Sequence, residues 1–206
     1  MKKSRFLTGI FLTFAGAVLV FTLARAAEEK PLAGKKVALV VASDKFRDEE
    51  FKEPRNLLIQ SGATVIVVSS KLSEATGMLG MKVKPDVPLQ DLKSQGLAAV
   101  LFIGGVGASE YFHDRDAYRL AQEVLGQGGV VGAICIAPVI LARAGLLKGK
   151  KATVFESEKE ELTRAGASYT GKAVETDGRI ITGNGPGAAG EFAQAVVNLL
   201  KQVNKQ

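Results

Sequence analysis

Gly132-Ala133-Ile134-Cys135-Ile136-Ala137-Pro138 holds the only cysteine among 206 residues. An apolar run, Val130 to Ile134, leads into it, and an apolar helical pattern, Val139 to Leu147, follows. The order predicts strand, tight turn, helix, with the thiol at the turn. Gly132, Ala133 and Ala137 suit a sharp turn, where bulky side chains collide. Pro138 suits the first turn of a helix, where its missing N–H is not needed. A thiol at a helix N-terminus sits near free N–H groups and the positive dipole end, which predicts a favoured thiolate. The competing reading is a small buried hydrophobe, a common state of free cysteine.

Working outward, Lys35 to Ala42 and Thr64 to Ser69 are continuous valine-rich runs, the pattern of strands buried on both faces. Asp48 to Gln60 between them reads as a helix with acids early and Gly62 as its stop. Pro54 is awkward there, so the regular part is expected from about Glu50. The β-α-β order implies a parallel pair with a right-handed crossover. Met78 to Lys84, with Pro85 and Pro88, suggests a short hairpin or an edge excursion. Leu97 to Ile103 is a third strand ending in Gly104-Gly105. Asp114 to Leu125 is a helix, Val130 to Ile134 a fourth strand and Lys151 to Phe155 a fifth. Ser157 to Ala165 is a short helix that Ser157 and Glu160 would close with a capping box. Val174 to Thr176 and Ile180 to Thr182 are short strands, and Ala188 to Gln202 closes the chain. The alternation predicts an α/β fold: a doubly wound, mostly parallel, flavodoxin-like sheet sandwiched by helices. Sites in such sheets lie beyond the carboxyl ends of the strands. Ser43 to Glu50, Gly104-Gly105 and Cys135 all fall on that edge.

Residues 1–26 are of different composition. Lys2, Lys3 and Arg5 precede an apolar stretch, Phe6 to Leu23, and Ala24-Arg25-Ala26 fits a small-x-small cleavage site. This is the pattern of a secretory signal peptide, so the protein is expected to be exported, periplasmic or extracellular. The alternative is an uncleaved anchor through residues 6–24, the one route to a membrane association. Residues 27–34 read as a linker and 35–203 as a single domain. Removing the leader's four basic residues (Lys2, Lys3, Arg5, Arg25) from 27 leaves 23 against 21 acids, a net charge of +2. That balance, with no basic patch interleaved with aromatics, argues against nucleic acid as a partner. One cysteine forms no intrachain disulfide, and one cysteine with one histidine argues against a zinc site. No metal and no cofactor is expected. Gly185-Pro186-Gly187-Ala188-Ala189-Gly190 fits G-x-G-x-x-G, but only 16 residues follow Gly190. A dinucleotide site needs a following strand and an acid about 20 residues on, so a plain turn is the simpler reading.

Val131 to Leu147 (VGAICIAPVILARAGLL) resembles the cysteine elbow of the ThiJ/PfpI superfamily. That group includes the PfpI-type intracellular proteases and the parkinsonism-associated deglycase, on a class I glutamine-amidotransferase-like fold. Asp48-Glu49-Glu50-Phe51-Lys52-Glu53-Pro54 resembles its acidic motif, a Glu four residues before a Pro. Leu101-Phe102-Ile103-Gly104-Gly105 resembles its strand ending in two glycines. Thr182 to Ala189, followed by Glu191-Phe192-Ala193, resembles its closing segment. The resemblance spans about Lys35 to Leu200. It implies a nucleophile at Cys135, poised by Glu50, and a homo-oligomer, dimer or larger. Only this motif alignment chooses Glu50 over Glu49. A carboxyl beside a thiol either donates to the thiolate when protonated or repels it when ionised, and burial favours the protonated form. The backbone N–H groups of Gly105 and Ile136 are candidates for an oxyanion hole.

The sequence departs from the family in one place. Many members carry histidine directly after the cysteine, where this chain has Ile136. A general base beside the nucleophile is therefore missing, which disfavours a PfpI-type peptidase. Glu110 falls near the acid that completes the usual triad across a subunit contact, and the lone histidine, His113, lies in the loop after Gly105. The expected activity is that of a cysteine-dependent hydrolase, or a glyoxalase or deglycase-like enzyme, on small carbonyl or amide compounds. The alternative is a non-enzymatic thiol redox sensor or stress-protective protein on the same fold.

Overall fold

The computed structural model describes residues 30–203; the signal-peptide reading of 1–26 lies outside them. A seven-stranded sheet is built from β1 (Lys36–Val40), β3 (Thr64–Ser69), β6 (Val87–Pro88), β7 (Leu97–Phe102), β8 (Val130–Ile134), β11 (Val174–Asp177) and β12 (Ile180–Gly183). Its order is β11-β12-β8-β7-β1-β3-β6. Every pair is parallel except the β11–β12 hairpin. Helices α1 (Asp48–Gln60) and α5 (Ala189–Val203) cover one face, and α2 (Arg115–Gly126) and α3 (Pro138–Arg143) the other.

Successive strand side chains point to opposite faces, so both faces need apolar residues. Val37 and Leu39 pack with Phe51 and Leu58 of α1 and Phe192 and Val196 of α5. Ala38 and Val40 pack with Leu120 and Val124 of α2 and Val139 and Ile140 of α3. This double cover is the physical cause of the unbroken apolar runs in the sequence.

Several local expectations change. Helix α1 is regular from Asp48, although Pro54 cannot donate to the Glu50 carbonyl. Of Lys151 to Phe155, only β9 (Lys151–Ala152) is strand. It pairs with β10 (Ser168–Tyr169) in a separate two-stranded ribbon, and the main sheet takes β12 beside β8 instead. Helix α3 stops at Arg143 rather than Leu147. The capping box is absent: α4 (Lys159–Arg164) has no side-chain cap, and the Ser157 hydroxyl donates to the Glu158 carboxylate. The segment before β1 is packed, with Leu32 fully buried and its N–H donating to the Ser61 carbonyl. The ambiguous stretch after β3 forms β4 (Ala75–Gly77) and β5 (Lys82–Val83), an antiparallel pair. They join β2 (Asp44–Phe46), which extends the loop after β1, in a small second sheet.

Candidate functional site

The sheet order places β1, β7 and β8 side by side, so the loops at their carboxyl ends converge. Cys135 ends β8 in a left-handed conformation, φ 63°. Its N–H donates to the Gly183 carbonyl at the end of β12, and its carbonyl accepts from the Phe155 N–H. These bonds hold a backbone shape that non-glycine residues seldom adopt. The free thiol is 8% exposed.

Glu50 enters from the first turn of α1 and is fully buried. Its Oε2 accepts from the Gly104 N–H at 3.1 Å, and the carboxyl lies beside the Cys135 thiol with its Oε1 unpaired among the described residues. Glu49, one residue earlier, turns outward and pairs with Arg47 at 2.9 Å. Of the two acids, Glu50 is the one that lies beside the thiol. Gly104 keeps the approach open: a Cβ there would lie 2.4 Å from the Cys135 Cβ and 2.5 Å from Glu50 Oε2.

Burial pushes the Glu50 carboxyl up to about 8; the Cys135 contact, the Gly104 N–H and the Arg47 charge oppose it only in part. Glu50 is therefore protonated at neutral pH. Burial also pushes the Cys135 thiol up, to about 12, and the Glu50 charge adds to this only once the carboxyl has ionised. The N–H groups of Gly105 and Ile136 hydrogen-bond the thiol and pull the other way. Burial thus works against the thiolate that the helix N-terminus favours. The helix behind Cys135 has only six residues, so the dipole set against the loss of water around the sulfur is a short one. The two N–H groups expected to form an oxyanion hole point at the sulfur itself.

The thiol opens into a cleft of about 440 Å³. Arg47, Met78, Val106, Phe112, Ile136 and Phe155 are among the residues that line it.

Residues 35–199 match the model of the DJ-1/PfpI family. The chain belongs to this family. An uncharacterised relative, MJ0967 of Methanocaldococcus jannaschii, is 39% identical over 82% of this chain and 84% of its own. A glutathione-independent glyoxalase of Caenorhabditis elegans, DJR-1.2, is 29% identical over 84% of this chain and 94% of its own. Among solved structures, the ThiJ/PfpI domain protein of Brachyspira murdochii superposes with a TM-score of 0.80. It is 27% identical and covers 82% of this chain and 98% of its own.

Within the single chain, two residues singled out for this DJ-1/PfpI protein make their hydrogen bonds away from the thiol. Glu110 accepts from the Ser43 N–H at 2.9 Å and from its hydroxyl at 3.0 Å, so it braces the loop after β1. His113 is exposed and its Nε2 lies 2.7 Å from Arg143 Nη1. Arginine is always the donor, so His113 accepts here and is spent on Arg143 rather than on Cys135. Sequence reasoning missed Arg47 and the rim residues Met78, Val106 and Phe155. They lie in loops and turns, where no periodicity marks a role. It also passed over Asp48, whose carboxylate accepts from the Leu79 and Met81 N–H groups at 2.8 Å and fixes the β4–β5 turn.

Proposed function

We propose that this protein is an exported, cysteine-dependent enzyme of the glyoxalase or deglycase type, acting on small reactive carbonyl compounds without glutathione. The observation that carries the reading is the buried Glu50 carboxyl against the Cys135 thiol at the base of an open cleft. The name of the Caenorhabditis elegans relative gives the class of substrate. Export rests on the leader pattern of residues 1–26.

A group that exchanges its proton near pH 8 is suited to general acid–base work. Glu50 therefore stands in for the histidine that Ile136 replaces. On a 2-oxoaldehyde, the ionised fraction of Glu50, which grows toward pH 8, takes the thiol proton as the sulfur attacks the aldehyde carbon. A C–S bond forms and the carbonyl π pair moves to oxygen. The Gly105 and Ile136 N–H groups, already aimed at the sulfur, stabilise that oxygen. Glu50 then returns its proton to it, giving a hemithioacetal. The carboxylate next carries the C1 proton to C2 while the hydroxyl proton passes from the C1 oxygen to the C2 oxygen, which leaves a 2-hydroxy thioester. Water cleaves the thioester, releases a 2-hydroxy acid and restores the thiol. C1 is oxidised and C2 reduced, so no external redox partner is required.

The test is conversion of methylglyoxal to lactate by the processed protein without added thiol. Cys135→Ser is expected to lower the rate by about a hundredfold or more, the order of effect expected for removing an attacking nucleophile. Equal turnover by the two proteins would sink the assignment of Cys135. Absence of turnover in the unsubstituted protein would sink the glyoxalase reading.

A further inference from the structure

The rim of the Cys135 cleft is apolar and open to water. Met78 is 41% exposed, Val106 56% and Phe155 44%. Large apolar side chains exposed singly need no explanation, but three around one opening mark a binding surface. They come from three separate segments: the β4–β5 turn, the 3-10 turn after β7 (Val106–Tyr111), and the loop after β9. Each segment is pinned by a bond that leaves its apolar side chain free. Asp48 holds the turn beside Met78, the Ser109 hydroxyl donates to the Val106 carbonyl at 2.9 Å, and the Phe155 N–H donates to the Cys135 carbonyl at 2.9 Å. Ile136 continues the same apolar wall down to the thiol. The charged groups at the cleft are Arg47, tied to Glu49, and Glu158.

A cleft of about 440 Å³ is of the size that holds drug-sized ligands. Methylglyoxal has only a methyl group to offer these walls. We infer that the preferred substrate is a 2-oxoaldehyde bearing a bulky apolar arm, aryl or branched alkyl, with the arm against Val106, Phe155 and Met78. This rests on the reading above, in which Cys135 adds to an aldehyde. Water is the only co-reactant, and the product is the 2-hydroxy acid carrying the same arm.

Two measurements on the full-length protein separate this inference from the reading beneath it. The first compares turnover of phenylglyoxal to mandelate with that of methylglyoxal to lactate. The expected kcat/KM ratio is about tenfold or more in favour of the aryl substrate, since each apolar carbon seated in a fitted pocket contributes at that scale. The ratio is expected to fall toward one in the Val106→Ser, Phe155→Ser double variant, with a cooperative thermal transition showing that the variant folds. The second needs no turnover: alkylation of Cys135 by N-benzylmaleimide against N-methylmaleimide, each divided by its rate with free cysteine. A benzyl preference that saturates with concentration and collapses in the double variant supports the inference. Equal normalised rates in the unsubstituted protein would overturn it, whatever the turnover. A benzyl preference with neither glyoxal converted would sink the glyoxalase reading and this substrate with it, while selection of an apolar arm by the cleft would stand.

Discussion

Gly105→Ala is expected to lower the melting temperature of the protein by about 10 °C and to disable the thiol. Gly105 has φ 93°, in the region that side chains disfavour. A Cβ there would lie 2.5 Å from both the Arg47 nitrogen and the Lys45 carbonyl oxygen. Those are backbone atoms on either side of Phe46, which is fully buried, so nothing nearby can swing aside. Forcing a non-glycine residue into such a conformation costs ~1–3 kcal/mol. Overpacking a tight contact costs another ~1–3 kcal/mol. About 3 kcal/mol in all, at ~2–4 °C per kcal/mol for a chain of this size, gives the stated shift. The same substitution moves one of the two N–H groups aimed at Cys135. Scanning calorimetry measures the shift, and a change below about 2 °C would contradict the close approach of the two loops.

Glu50→Gln is expected to flatten the dependence of stability on pH. The Glu50 carboxyl titrates at 4.5 when exposed and at about 8 in the fold. Between those values the folded protein holds a proton that the unfolded chain has lost. Stability from this group is therefore fully present below 4.5 and falls as pH rises, by ~1.4 kcal/mol per unit. Across the window the loss is about 5 kcal/mol. Glutamine keeps the shape and an acceptor for the Gly104 N–H, and it carries no charge at any pH. The variant should thus match the parent near pH 4.5 and exceed it increasingly toward pH 8. Glu161, Glu175 and Asp177 are held below their ordinary values and shape the acid limb of both proteins alike. The difference between the two denaturant profiles isolates Glu50, and parallel profiles would refute its buried, protonated state.

The main strands were legible because both their faces are covered, so β1, β3, β7 and β8 carry unbroken apolar runs. The same signal misled at Lys151 to Phe155. Ala152 and Val154 are buried in the core that the main sheet shares with Leu162 of α4, but they belong to no strand of that sheet. An apolar run reports burial, not the identity of the partner. Glu50 was reached only by motif. Helical phase carried the answer as well: Glu50, Pro54 and Leu58 are spaced by four, and all three are buried. What opposes the thiolate is not legible in the sequence. A six-residue helix and two N–H groups are visible in sequence order, whereas the depth of burial that outweighs them is a tertiary property. The rim residues were invisible for a related reason, since loops from three places meet only in the fold.

The most direct test of the account is the pH dependence of Cys135 alkylation by iodoacetamide, in the unsubstituted protein and in Glu50→Gln. If Glu50 is the base for the thiol, reactivity rises with a midpoint near 8 in the first, where the carboxyl gives up its proton. In the variant that step is absent and the rise moves above 9, because the thiol stays buried with no group to take its proton. Superimposable profiles would contradict the account and leave Glu50 and Cys135 as neighbours that do not share a proton.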